Sequence, residues 1–154
     1  MDHHYLINLA IDEAINGVNI GDGGPFGALI VYKNDIIAKA HNEVVKTNDP
    51  TAHAEIIAIR LATKHINNFN LSDCIIYSSC EPCPMCLTAI YWARIKKVFF
   101  AATRYDAANV GFDDLKLYEY LRTPIPEIST IKILTDRALI PFEKWNNSKN
   151  KIIY

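Results

Sequence analysis

Apolar side chains at Tyr5, Leu6, Leu9, Ala10, Ala14 and Val18 recur at helical spacing, and Gly21-Asp22-Gly23-Gly24-Pro25 interrupts them. This pattern predicts an amphipathic first helix over residues 3–18. Phe26 to Tyr32 and Ile36 to Ala40 are short β-prone runs joined at Lys33-Asn34-Asp35, the signature of a hairpin. A loop from Asn42 to Pro50 leads into a second helix, expected from about Ala52 to His65 with Thr51 or Asp49 as N-cap. His53 and Glu55 then fall in its first turn. Beyond it the pattern predicts a strand over Ile75 to Ser79, a proline-opened helix over Pro84 to Ala93 and a strand over Lys97 to Ala102. A helix near Leu115 to Leu121, a strand from Thr130 to Leu134 and a short helix around Pro141 to Asn147 precede a polar tail ending at Tyr154.

Hairpin, helix, strand, helix, strand in that order implies a mixed sheet with helices on its faces. Ligands of such sheets favour the carboxyl ends of parallel strands, and Cys83 sits just beyond one predicted end. With 154 residues, half of them apolar, the chain has material for a single domain spanning 1–154. Sixteen Lys and Arg against seventeen Asp and Glu give a net charge of −1, which offers no electrostatic footing for nucleic acid or an anionic membrane. No apolar run has the length of a membrane span, and Met1-Asp2-His3-His4 lacks the basic start of a signal peptide. The expectation is therefore a cytoplasmic protein with a small, weakly charged partner.

Three of the four cysteines crowd into Cys80-Glu81-Pro82-Cys83-Pro84-Met85-Cys86, which suits metal chemistry better than a disulfide framework. Cys83 and Cys86, three apart at a helix start, can grip one ion, and the electropositive helix end favours their thiolates. His53 completes a set of three from the other helix. Positions two apart on a helix point roughly 200° apart, so His53 and Glu55 can share a site only because side chains splay at a helix end. A structural zinc site closes its shell with four Cys or His ligands, whereas a hydrolytic one holds three and leaves the fourth position to water. Glu55 is then free to take that water's proton and pass it to a substrate nitrogen, the pattern of hydrolytic deamination. Mixed thiolate and imidazole ligands favour Zn²⁺. The plainer alternative is a closed, non-catalytic zinc module in which Cys80, Cys83, Cys86 and His53 are all ligands and Glu55 is an ordinary helix residue.

His53-Ala54-Glu55 with Pro82-Cys83-Pro84-Met85-Cys86 resembles the zinc-dependent cytidine deaminase superfamily. Four further blocks, Gly23 to Ala28, Asn48 to Glu55, Thr88 to Arg94 and Gly111 to Asp114, resemble the bacterial guanine deaminases within it. That resemblance implies a three-layer α-β-α sandwich around a five-stranded mixed sheet, a homodimer, and conversion of guanine to xanthine and ammonia by attack at C2. It also implies Glu55 as the main proton shuttle, Asp114 as a second, and Asn42 and Phe26 as residues that hold and cover the purine. A C-terminal segment, 136–154, would swap between subunits and close the pocket, giving Trp145 and Tyr154 a reason to be aromatic.

Each of these assignments has a plainer counterpart. Asn42 is also a common turn-forming amide, Phe26 a core aromatic, and Asp114 a helix cap. Trp92 reads as packing or a subunit contact. Cys74 and Cys80 read as buried small residues, and His41 as either a pocket support or a strand end. Among functions, a tRNA adenosine deaminase shares the zinc signature but calls for a basic surface, and guanosine or cytosine remain substrates that the signature alone admits.

Overall fold

A computed structural model describes residues 1–112, 114–121 and 128–149. Helix α1 spans His3–Ile20, opened by the Asp2 carboxylate accepting from the Tyr5 N–H and closed at Gly21 in the left-handed region. Leu6, Ile7, Ala10, Ile11, Ala14 and Val18 form its buried stripe. Strands β1 (Gly27–Tyr32) and β2 (Asp35–His41) follow, joined by Lys33 and Asn34, both at positive φ as a tight two-residue hairpin turn requires. Helices α2 (Val44–Thr47) and α3 (Ala54–Ile66), strand β3 (Cys74–Cys80), helix α4 (Pro84–Trp92) and strand β4 (Lys97–Ala102) come next. Helices α5 (Arg104–Ala108) and α6 (Leu115–Leu121), strand β5 (Ser129–Lys132) and helix α7 (Ile140–Asn147) complete the described chain.

The sheet order is β2-β1-β3-β4-β5, with β1 antiparallel to β2 and β3, and β3, β4 and β5 mutually parallel. Both faces of the central strands are covered, so β1 and β3 are buried almost throughout instead of alternating. Ala28, Ile30, Ile76 and Val98 pack toward α3 and α4, in one core with Ala54, Ala58 and Ile90. Leu29, Val31, Tyr77 and Phe99 pack toward Leu6, Ile7, Ala10 and Ile11 of α1. The expected three-layer arrangement around five mixed strands is thus the observed one. A Cβ on Gly27 would lie 2.2 Å from the Ala10 carbonyl oxygen, so glycine is what lets α1 sit directly on β1.

Several predicted boundaries shift for local reasons. The second long helix starts at Ala54, not Ala52, and neither Thr51 nor Asp49 caps it; His53 is its N-cap. Asp49 instead turns the chain ahead of the helix, its carboxylate accepting the Thr51 N–H at 2.8 Å and its carbonyl the Ala52 N–H at 3.0 Å. The loop from Asn42 to Pro50 contains the short α2, and α5 was not expected at all, although Thr103 and Asp106 form a capping box at its start. The last strand runs Ser129–Lys132 instead of Thr130 to Leu134; Ile133 still donates to the Phe100 carbonyl at 2.8 Å, and beyond it Arg137 reaches Asn8 and Asp12 of α1.

Candidate active site

The carboxyl ends of parallel β3 and β4 and the start of α3 meet around one cavity of about 260 Å³. His53 and Cys83 are the N-caps of α3 and α4, and neither side chain caps its own helix. Their carbonyls accept the first helical bonds, from Ile57 and Leu87, while their side chains project past the helix ends. Cys86, in the first turn of α4, joins them: His53 Nδ1 lies 3.6 Å from Cys83 Sγ and 3.5 Å from Cys86 Sγ. A tetrahedral zinc with ordinary Zn–S and Zn–N bonds would separate S and N by about 3.6 Å. His53 Nδ1 therefore already stands at the spacing from each sulfur that one tetrahedral centre requires, and the three donor atoms lie within 4.8 Å of one another.

Electrostatics agrees with that fit. The Cys83 thiol is pushed down to about 4, chiefly by the hydrogen bond from Cys86 and, against burial, by His53. Cys86 moves well above its ordinary value because of the Cys83 sulfur and burial. Burial pulls His53 down, but the adjoining Cys83 sulfur outweighs it and raises the imidazole. The trio thus binds a proton where a cation would sit, and a metal would displace it. Cys80 does not belong to this group: its buried thiol donates to the Thr103 carbonyl at 3.4 Å and stays protonated, held up by burial. With three ligands gathered, the open side of the site faces the cavity.

Glu55 lies on that side, 5 % exposed. Its Oε1 accepts from Ser78 Oγ at 3.1 Å and its Oε2 from the Cys86 thiol at 3.4 Å. Burial first, then the Cys83 charge, raises its pKa, so it holds a proton more readily than an exposed carboxylate. Asp114 also lines the cavity, pushed up to about 6 by burial and by the Cys83 charge. Its backbone carbonyl takes the Leu117 and Tyr118 N–H groups at the start of α6, while its buried Oδ1 accepts no hydrogen bond among the described residues.

Asn42 is completely buried, its Oδ1 accepting the Gly24 and Val44 N–H groups at 3.2 Å each. These donors fix which way the amide points. A Cβ on Gly23 would come within 2.2 Å of that oxygen, which explains the glycine directly after Asp22. Phe26 forms the aromatic wall, edge-on to Phe112 at 4.8 Å and to Phe142 of α7 at 5.9 Å. Trp145 packs behind Phe112 at 5.5 Å. Tyr154 and Asp113 lie outside the described residues. His41 ends β2 and pairs with Asp22 at 2.8 Å instead of lining the cavity. Sequence reasoning passed over Glu81 and Ser78; the visible signal for Ser78 was a pair of small polar residues in an otherwise apolar strand.

Residues 1–102 match the family profile of the cytidine and deoxycytidylate deaminase zinc-binding region. The chain belongs to this deaminase family. Within the deaminases, it is 50 % identical to the guanine deaminase of Bacillus subtilis over 156 aligned residues, covering all of both chains. The crystal structure of the Bacillus subtilis guanine deaminase superposes with a TM-score of 0.77 at 49 % identity, over 100 % of this chain and 99 % of that one. The guanine deaminase of Nitrosomonas europaea superposes with a TM-score of 0.81 at 26 % identity, over 95 % and 85 % of the two chains. The tRNA-specific adenosine deaminase of Aquifex aeolicus is 43 % identical over 102 residues, 66 % of this deaminase and 67 % of its relative. The likeness to the tRNA enzyme is thus partial, whereas that to the Bacillus subtilis enzyme is end to end.

Proposed function

We propose that the protein is a zinc-dependent aminohydrolase that converts guanine and water to xanthine and ammonia. The observation that carries this reading is the buried Glu55 carboxylate beside three candidate metal-ligating atoms, on the side that faces the cavity. End-to-end similarity to a guanine deaminase supports the choice of base. His53, Cys83 and Cys86 would hold the zinc, which when bound would supply the Lewis acidity that makes water a nucleophile near neutral pH. Glu55 accepts the water's proton and delivers it to the ring nitrogen beside C2, making that carbon more electrophilic. As the C2–N bond breaks, Asp114 serves as the second proton carrier and the amino group leaves as ammonia. Ser78 and the first turn of α3 hold the Glu55 carboxylate between sulfur and cavity. Asn42 reads the purine edge and Phe26 covers its face.

Free base is favoured over nucleoside by the aromatic packing on that side of the cavity, with Phe112 and Phe142 edge-on to Phe26 and Trp145 tilted behind Phe112. The assay follows ammonia and ultraviolet absorbance with zinc-loaded protein and guanine, guanosine, cytosine, cytidine or an adenosine-containing tRNA loop. Ammonia from guanine is the expected result; ammonia from the tRNA loop with none from guanine would overturn the assignment.

The active form is read as a cytoplasmic homodimer, the reduced thiols suiting that compartment and the exposed Trp92 with Arg94 over its ring suiting a subunit contact. The chain acts as one domain whose segment 136–154 is exchanged in the dimer, keeping the cavity contacts that α7 makes here within its own chain. Tyr154 then covers the partner's purine. Mixing Glu55→Gln protein with a variant lacking residues 148–154 restores activity in mixed dimers if exchange occurs. Full turnover by the shortened variant alone contradicts it.

A further inference from the structure

Asp114 stands on a segment, residues 114–121, that is joined to the metal-ligand loop by side chains and not by sheet pairing. The chain of contacts begins at Glu81, two residues before Cys83, whose N–H is tied to the Ala102 carbonyl at 2.8 Å. Its carboxylate takes both faces of the Arg104 fork: Oε2 accepts from Nε at 3.0 Å and from the Arg104 backbone N–H at 3.1 Å, and Oε1 from Nη2 at 2.5 Å. The guanidinium in turn lies 3.7 Å from the centroid of the Tyr118 ring. The Tyr118 hydroxyl donates to the carbonyl of Pro82, the residue preceding the ligand Cys83. Burial, then the Glu81 charge, keeps that phenol protonated and so a donor. Finally, the Tyr118 N–H donates to the Asp114 carbonyl at 3.4 Å.

We propose that Arg104 and Tyr118 are positioning residues that latch α6 to the Glu81-Pro82-Cys83 loop and thereby set the place of the Asp114 carboxylate relative to the metal ligands. The inference deepens the functional reading above and rests on Asp114 being its second proton carrier. Arg104 makes the ion pair and the ring stack at once, which the point charge of lysine does not reproduce. Tyr118→Phe keeps the stack and loses only the bond to Pro82. Neither change touches Phe26 or Asn42, so purine binding is spared while proton delivery is misplaced. A displacement near an ångström lowers turnover by up to about 100-fold.

The test uses full-length, zinc-loaded Tyr118→Phe and Arg104→Lys. Turnover of guanine is expected to fall about tenfold in each, with KM within about twofold and zinc content unchanged. Amide hydrogen exchange at Leu117 and Tyr118 should quicken about tenfold while β3 and β4 amides keep their rates. The double variant Tyr118→Phe/Asp114→Asn should be no slower than Asp114→Asn alone, because the latch acts only through that carboxylate. Turnover within about twofold of wild type, losses that multiply in the double variant, or a parallel fall in KM and zinc content would each overturn the proposal. Should wild type release no ammonia from guanine, the substrate reading fails, and unchanged exchange of α6 in both variants is then the result that rejects the latch.

Discussion

Residues 1–102 hold the candidate metal ligands on two helix starts anchored to the carboxyl end of a buried sheet, whereas the described residues beyond 102 line the cavity through Ala107, Phe112 and Asp114, on or beside short helices. The first region is fixed by continuous burial: Ile76, Val98, Ile90 and Ala58 are essentially inaccessible behind His53, Glu55 and Cys83. The second is fixed by discrete contacts, Arg104 on Glu81, Tyr118 on Pro82, Arg137 on Asp12 and aromatic edges around Phe112. Only the first is spanned by the deaminase family profile. On the proposed function, chemistry common to many aminated bases resides in the first half, and the choice among those bases is expected to reside in the half that covers it.

The largest effect should come from the rigid half. Glu55→Gln removes the proposed proton carrier but keeps a planar side chain, so turnover should fall by about 10³-fold with fold and zinc retained. Circular dichroism and metal analysis beside the ammonia assay check it; turnover near wild type would remove Glu55 from the mechanism. Next comes Asp114→Asn in the covering half, expected to cost about 10- to 100-fold in turnover.

Asp114 also gives the comparison a pH signature. Its folded value, about 6, lies above the ordinary 3.8 of an aspartate, so the folded state binds the proton more tightly than the unfolded one. Its stabilising contribution is therefore full below about pH 4 and lost as pH rises through about 6. Metal-free wild type should lose stability relative to Asp114→Asn across that window, and parallel denaturation midpoints at pH 4 and pH 7 would contradict it. Smaller again, Phe112→Ala should raise KM for guanine about tenfold, by unpacking Phe26 and Trp145, and improve guanosine relative to guanine. An unchanged preference would place specificity elsewhere. The smallest effect belongs away from the cavity: Asn34→Ala, at φ 73 in the hairpin turn, should cost about 1 kcal/mol and leave turnover unchanged. Thermal melting beside the assay checks this.

The rigid half was also the legible half. Pro84 at a helix start, the apolar run from Lys97 and the His53-Ala54-Glu55 and Cys83 to Cys86 spacings are local signals, and the structure gathers the ligand atoms they point to. What the sequence concealed depends on distant partners or on turns that compete with helix. Asp49 looks like a cap until its bonds to Thr51 and Ala52 are seen to delay the helix, which makes His53 the N-cap and frees its imidazole to reach past the helix end. Short helices such as α2 and α5 are too brief to show a period. The contact of Tyr118 with Pro82 spans 36 residues and has no signature in either neighbourhood. Asp114 and Asn42 were reachable only through resemblance, since an aspartate before a helix and an asparagine after a strand have ordinary uses.

The claim beneath both halves is that the metal centre is open: three protein ligands, with the remaining position turned toward Glu55 and the cavity. Zinc K-edge X-ray absorption of the loaded protein reads this directly. The expected shell is two sulfurs at about 2.3 Å and two lighter atoms near 2.0 Å, one from His53 and one from solvent. Three sulfurs and one nitrogen would mean that Cys80 has joined a closed structural site, and would contradict the account.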